Sequence, residues 1–306
     1  MSTVSAQAIF DAHTARFGAA DAFDTPDFTR DDPVYRAAKE ACLRLGFIDA
    51  DAECLAQAWE ARSARLGFDA GAWPEEPVDF GLAPWPRSLA FAPCPRALGL
   101  YAVLPDAEWV GRMARAGVPT VQLRFKSDDT RAVEREVRAA IEAVAGTPAL
   151  LFINDHWQAA IEAGAYGVHL GQEDIGVANL SAIRAAGLRL GLSTHGYAEM
   201  RRADALSPSY IAMGAVFPTT LKRMATAPQG TARLRAYARL LRAYPLVAIG
   251  GIDFERLPAV LQSGVGSVAV VRALVAAASP EAEVARFRLA LQGKPGQETG
   301  PLGHLA

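Results

Sequence analysis

The chain has 306 residues, 51% hydrophobic and 21% charged, with a formal net charge of −2. That composition excludes a disordered protein, and the balance of Lys+Arg 31 against Asp+Glu 33 argues against a broad nucleic-acid or anionic-membrane surface. The length suits two domains of ~150 residues or one large barrel. In chain order, the first residues carry no basic, apolar leader pattern, and no apolar run reaches the ~18 residues of a membrane helix. Helices are predicted over 33–46 and 51–66. Leu43, Leu45, Leu55, Trp59 and Leu66 give them apolar faces, and Gly46 and Gly67 stand at stop positions. The stretch 73–95 carries six prolines and the aromatics Trp73, Phe80, Trp85 and Phe91, which excludes a helix or a central strand. It reads as a linker packed on the next domain through Trp73, Trp85 and Phe91, or as a lid over an active site or a partner surface. Cys42, Cys54 and Cys94 show no metal-ligand spacing; an odd, sparse set suits reduced thiols in a cytoplasmic protein.

From residue 98 the chain alternates. Short apolar runs fall at 98–104, 118–125, 149–154, 166–171, 189–194, 209–217, 245–250 and 266–271, with helix-spaced stretches such as 127–145 and 253–263 between them. Continuous Val/Ile/Leu runs alternating with helices predict a parallel sheet covered on both faces. Eight in succession predict an α/β fold of the closed (β/α)8 TIM-barrel type, with a helical and Pro-rich N-terminal extension; an open doubly wound sheet is the alternative. The expected division is an extension over 1–97, a barrel over 98–292 and a flexible tail over 293–306.

In such a barrel, chemistry belongs to the loops after the strands. Alternation puts Gln122, Arg124 and Lys126 on one face of the second run, opposite Val121, Leu123 and Phe125. Inward cations need an anionic partner. That partner is a bound phosphate, or an ion pair with Asp155 or Asp174. These two aspartates follow the third and fourth runs. They could share Mg2+ with substrate phosphate, or serve as helix N-caps. The fifth run ends Ser193-Thr194-His195, with His195 expected at the mouth and His169 as a hydrogen-bonded core histidine. The sixth is followed by Thr219, Thr220, Leu221 and Lys222. The seventh ends at Gly250-Gly251, in the position of the recurrent barrel phosphate site. No nucleophile–base pair stands out for a hydrolase. Phosphate- or diphosphate-dependent group transfer fits better.

Five motifs, in order, carry a family resemblance: Gln122-Leu123-Arg124-Phe125-Lys126, Phe152-Ile153-Asn154-Asp155, Gly167 through Asp174, Leu192-Ser193-Thr194-His195 and Ala248 through Ile252. Residues 98–292 resemble the thiamine phosphate synthases. The resemblance implies a Mg2+-dependent transferase that joins hydroxymethylpyrimidine diphosphate to hydroxyethylthiazole phosphate and releases pyrophosphate. It implies that Gln122, Arg124, Lys126, Asn154 and Lys222 hold the diphosphate, and that Asp155 and Asp174 hold Mg2+. Ser193 would meet the pyrimidine end, with His195 shaping the pocket. Thr219, Gly251 and the backbone near Val271 would bind the thiazole phosphate. The partners implied are phosphorylated small molecules; the oligomeric state, a homo-oligomer included, stays open. A thiazole tautomerase and a non-catalytic binding or regulatory barrel are the competing readings.

Two positions depart from the family pattern. Leu221 replaces a threonine of the sixth loop, with Thr220 adjacent, and Arg272 stands where serine is usual. Arg272 could pair with the thiazole phosphate or crowd it. A lost hydrogen bond to a charged acceptor costs about 1–3 kcal/mol. Leu221→Thr is therefore expected to raise kcat/KM for the thiazole phosphate about tenfold or more; unchanged steady-state kinetics would show that this loop is not impaired.

Overall fold

The computed structural model describes residues 4–84, 87–219 and 226–292. The extension contains α1 (Ala6–Phe17), α2 (Pro33–Arg44) and α3 (Asp49–Leu66). The last two are the predicted pair. The first was missed. Ser5 caps α1, its Oγ accepting from the Ala8 N–H at 3.1 Å. Its buried residues are Ile9 and His13, one turn apart, and the histidine breaks the apolar stripe by which such a helix is recognised.

The barrel runs β1 (Leu100–Leu104), α4 (Ala107–Arg115), β2 (Thr120–Leu123), α5 (Thr130–Val144), β3 (Leu150–Asn154), α6 (Trp157–Glu162), β4 (Gly167–Leu170) and α7 (Leu180–Ala185). It continues through β5 (Arg189–Thr194), α8 (Tyr197–Leu206), β6 (Tyr210–Met213), α9 (Gly230–Leu240), β7 (Leu246–Ile249), α10 (Leu257–Leu261), β8 (Ser267–Val270), α11 (Arg272–Val275) and α12 (Pro280–Gln292). Each strand pairs in parallel with the next, and β8 pairs with β1, so the sheet closes in strict sequence order. All eight predicted runs contain a strand; β5 fills its run, and the other seven are shorter than theirs. Shortening matters at β2. The strand ends at Leu123, so Arg124 and Lys126 belong to the following loop and not to a strand face. Arg124 still continues the ladder by one bond, from its N–H to Leu104 O at 2.7 Å.

Alternation sorts the side chains. Val121, Leu123, Ile153 and Val168 face the helices, while Tyr101, Val103, Phe152, Tyr210, Val247 and Ala269 pack together inside the barrel. Two glycines make room for the interior aromatics. A Cβ at Gly167 would sit 2.6 Å from the Phe152 ring, and one at Gly191 would overlap the Tyr210 ring. The lower barrel is thereby filled by aromatic rings.

The Pro-rich segment is not a lid. Phe91 N–H bonds Ser207 O, Ser209 Oγ–H bonds Ala92 O, and Leu98 N–H bonds Ser267 Oγ. These partners lie at strand starts, the end opposite the mouth. Phe91 is buried as expected. Trp73 is buried too, with its Nε1–H donating to Tyr197 Oη at 3.1 Å; Trp85 lies outside the described residues. Phe17, Phe47 and Trp73 cluster, Phe80 stacks on Tyr197 at 5.3 Å, and Tyr197 meets Tyr237 edge-on at 4.9 Å. Each such ring contributes roughly 1.5–3 kcal/mol on burial. Arg233 of α9 lies 4.0 Å over the Phe47 ring and donates to Gly46 O at 2.8 Å.

Asp51 of α3 is also buried in this contact, its Oδ1 accepting from the Ala198 N–H at 2.9 Å. Burial pushes its carboxyl up to about 6, although the Ala198 N–H and Arg233 act in the opposite direction. The folded chain therefore keeps a proton on Asp51 at pH values where the unfolded chain has lost it. Stability from this group is present below pH ~4 and declines as pH rises to about 6, by up to about 3 kcal/mol. Denaturant unfolding of the wild type and Asp51→Asn across this range is expected to show the wild type losing stability relative to the variant. A constant difference would place Asp51 in water.

Candidate active site

A cavity of about 680 Å3 opens at the C-terminal ends of the strands. It brings together Gln122, Arg124, Lys126, Asn154, Asp155, Asp174, Ser193, His195, Thr219, Gly251, Val271 and Arg272. The remaining candidates, Thr220 and Lys222 with the substituted Leu221, lie outside the described residues.

One wall is charged. Gln122 and Asn154 are buried at the ends of β2 and β3. The chain leaves β3 through Asp155, whose φ of 62° is unusual for a non-glycine residue and costs on the order of 1 kcal/mol. Its Oδ2 meets Lys126 Nζ at 2.5 Å, so the ion-pair expectation holds for that lysine. The helix-cap expectation fails for both aspartates. His156 occupies the N-cap of α6, and Asn179 caps α7 through Ala182 N–H at 3.0 Å. Asp174 instead closes the loop after β4, its Oδ2 accepting from the Gly171 N–H at 3.0 Å. Burial and the facing charge of Asp155 raise its carboxyl above the usual range. Two facing carboxylates that offer only oxygen donors fit a hard divalent cation. Among the described residues no group of three or more His, Cys, Asp or Glu could hold a metal ion, so such a cation would need substrate oxygens to complete its shell.

The cavity floor is a hydrogen-bonded chain. Tyr101 Oη lies 2.7 Å from Tyr210 Oη, Tyr210 Oη lies 2.7 Å from His169 Nδ1, and His169 Nε2 lies 2.8 Å from Ser193 Oγ. Burial pushes both tyrosine hydroxyls up, so they stay protonated. The expected core histidine is thus also part of the site, linking the packed interior to Ser193. Gln172 Nε2–H bonds Ser193 O at 2.7 Å. His195 donates from its backbone N–H to Glu199 Oε2 at 2.8 Å, and its Nδ1 lies 2.7 Å from the same oxygen.

The opposite wall holds Thr219, Gly250, Gly251, Val271 and Arg272. The glycines have φ of 104° and 63°, and a Cβ on either would sit 2.6 Å from the β6 loop, at Ala215 or Pro218 O. Both the backbone conformation and the close approach demand glycine. Arg256 NH1 donates to Gly251 O at 2.6 Å and steadies that loop. Arg272 is exposed on the rim and so does not fill the pocket. Sequence reasoning did not select Glu173, Thr194, Asp253 or Arg256, all of which line the cavity. For His169 the signal existed: it shares its strand face with Gly167.

Comparison with known proteins agrees with this geometry. A family model described as thiamine monophosphate synthase matches residues 100–274. A thiamine-phosphate synthase of Neisseria meningitidis is 55% identical over 205 residues, spanning 67% of this chain and 100% of that protein. Another, from Cronobacter sakazakii, is 56% identical over 187 residues, spanning 61% of this chain and 89% of that protein. Among solved structures, thiamine phosphate pyrophosphorylase from Pyrococcus furiosus superposes with a TM-score of 0.57 at 28% identity, covering 64% of this chain and 97% of that one.

Removing the central hydroxyl of the floor breaks two buried hydrogen bonds at once. Tyr210→Phe is expected to cost about 1–3 kcal/mol in denaturant unfolding and to lower kcat/KM, because His169 loses its fixed orientation toward Ser193. Wild-type stability and activity in the variant would show that the chain carries no load.

Proposed function

The chain belongs to the thiamine monophosphate synthase family, and we propose that the cavity performs that family's condensation with the residues described above. The activity is thiamine phosphate synthesis, a group transfer between two phosphorylated small molecules. Hydroxymethylpyrimidine diphosphate lies with its diphosphate along the charged wall, held by Gln122, Arg124, Lys126 and Asn154, and the family resemblance adds Lys222 to this set. The pyrimidine end meets Ser193, and His195 shapes that end of the pocket. The thiazole phosphate lies across the cavity on Thr219 and Thr220, the Gly251 backbone, the backbone at Val271 and the Arg272 guanidinium.

The bond between the pyrimidine methylene and the diphosphate oxygen breaks, and its electron pair leaves with pyrophosphate. The thiazole nitrogen then supplies the pair that forms the new C–N bond. Positive charge develops on the methylene and negative charge on the leaving group. Arg124 and Lys126 stand where they offset the latter, in a partly enclosed cavity where charges act strongly. Mg2+ held by Asp155 and Asp174 with the diphosphate oxygens would add Lewis-acid neutralisation of the departing pyrophosphate. The observation that carries the metal reading is the facing pair itself: Asp174 raised by burial and by Asp155, with neither residue used as a helix cap. A tautomerase has no use for such a pair beside two cations. The unpaired thiols Cys42, Cys54 and Cys94 support a cytoplasmic setting.

The test is incubation of the purified chain with both substrates and Mg2+, with EDTA in a parallel sample. Thiamine phosphate is expected in the first sample only. Equal product in both would remove Mg2+ from the reading. No product from folded protein that still binds the diphosphate would overturn the proposed acceptor site.

A further inference from the structure

We infer that Asp51, from the N-terminal extension, is a positioning residue of the active site: its carboxylate fastens the start of α8 and so holds the β5–α8 turn that presents Ser193 and His195. This rests on the reading above that those two residues meet the pyrimidine end of the substrate.

A helix start leaves N–H groups that need acceptors, usually supplied by the N-cap side chain. At α8 the N-cap is Gly196, which has no side chain and makes no such bond. The neighbouring His195 is engaged with Glu199 and does not cap. The acceptor comes instead from a residue 147 positions earlier: Asp51 Oδ1 takes the Ala198 N–H at 2.9 Å. The glycine and the aspartate fit each other. Gly196 φ is −177°, an extended value open to any residue, so its backbone does not call for glycine. Space does, because a Cβ at Gly196 would overlap the Asp51 carboxylate. A barrel without the extension would have a bare glycine N-cap at this point.

The turn is therefore gripped at two points. Asp51 holds the Ala198 N–H from outside the barrel. Glu199 holds the His195 N–H and ring from within α8. Ser193 lies three residues before Gly196, with its Oγ on His169 and its carbonyl on Gln172. Loss of the outer grip lets the first turn of α8 shift, and the displacement passes to His195 and Ser193. The opposite wall, at Gly251 and Val271, is built on β7 and β8 and makes no use of this grip.

The experiment uses full-length Asp51→Ala. KM for hydroxymethylpyrimidine diphosphate is expected to rise about tenfold, while KM for the thiazole phosphate stays within about twofold. Asp51→Asn keeps one acceptor oxygen and should fall between the two. Amide exchange, measured without substrate, is expected to quicken about tenfold or more at Ala198. An equal rise in both KM values, or unchanged exchange at Ala198, would overturn the inference. If Asp51→Ala does not fold, the same readouts on Asp51→Asn decide it. If the wild type makes no thiamine phosphate, the activity reading has failed, and the exchange result still judges the grip.

Discussion

Closure of eight parallel strands into one barrel constrains everything else in this protein. Each strand must send alternate side chains inward, and the interior holds only as many as its width allows. Here Tyr101, Phe152 and Tyr210 fill the lower part, and Gly167 and Gly191 yield the space they need. The next inward positions along the strands are Gln122, Asn154, His169 and Ser193, and these form the floor and one wall of the cavity. The same alternation that packs the core therefore delivers the polar set to the mouth. Aromatic packing below and chemistry above are one arrangement, joined through Tyr210 and His169.

The mouth is electrostatically unfavourable by itself. Two carboxylates face each other, one of them raised by burial, while Lys126 satisfies only the other. Asp155 also holds a backbone conformation that most residues avoid. Such features persist because the surrounding barrel over-determines them. In the proposed reaction a diphosphate and a cation would enter together and relieve both. The far wall solves its problem differently, with glycine backbone pressed against the β6 loop and arginines at the rim.

The extension is attached to the barrel at both ends. Its Pro-rich stretch seals the strand starts, and its helices dock on α8 and α9 through an aromatic cluster, Arg233 and Asp51. The expected absence of helix holds except for one short 3-10 helix, Pro77–Phe80; beyond it the backbone groups of Phe91, Ala92 and Pro93 bond barrel loops and side chains, not a further strand. Burying Asp51 is costly, and the Ala198 N–H of α8 compensates for part of that cost.

Local rules in the sequence determined the eight strands, their order, the second and third extension helices and most of the cavity wall. Apolar runs of strand length alternate with helical spacing, and a closed barrel turns that order into position. Residues just past a strand end, such as Asp155, Asp174 and Gly251, could be placed because the fold puts every such end on one rim. Other features depended on contacts between segments distant in the chain. Helix α1 hides a histidine in its buried face, and that face has meaning only against Trp59 and Trp73. Arg124 and Lys126 lie beyond β2 because the ladder there ends at Leu123, which pairing with β3 decides. Whether Asp155 and Asp174 cap helices depended on where α6 and α7 begin. The partnership of Asp51 with Gly196 spans 145 residues and leaves no local pattern. Periodicity reports what a residue does within its own element; burial and charge pairing between elements arise only when the chain is folded.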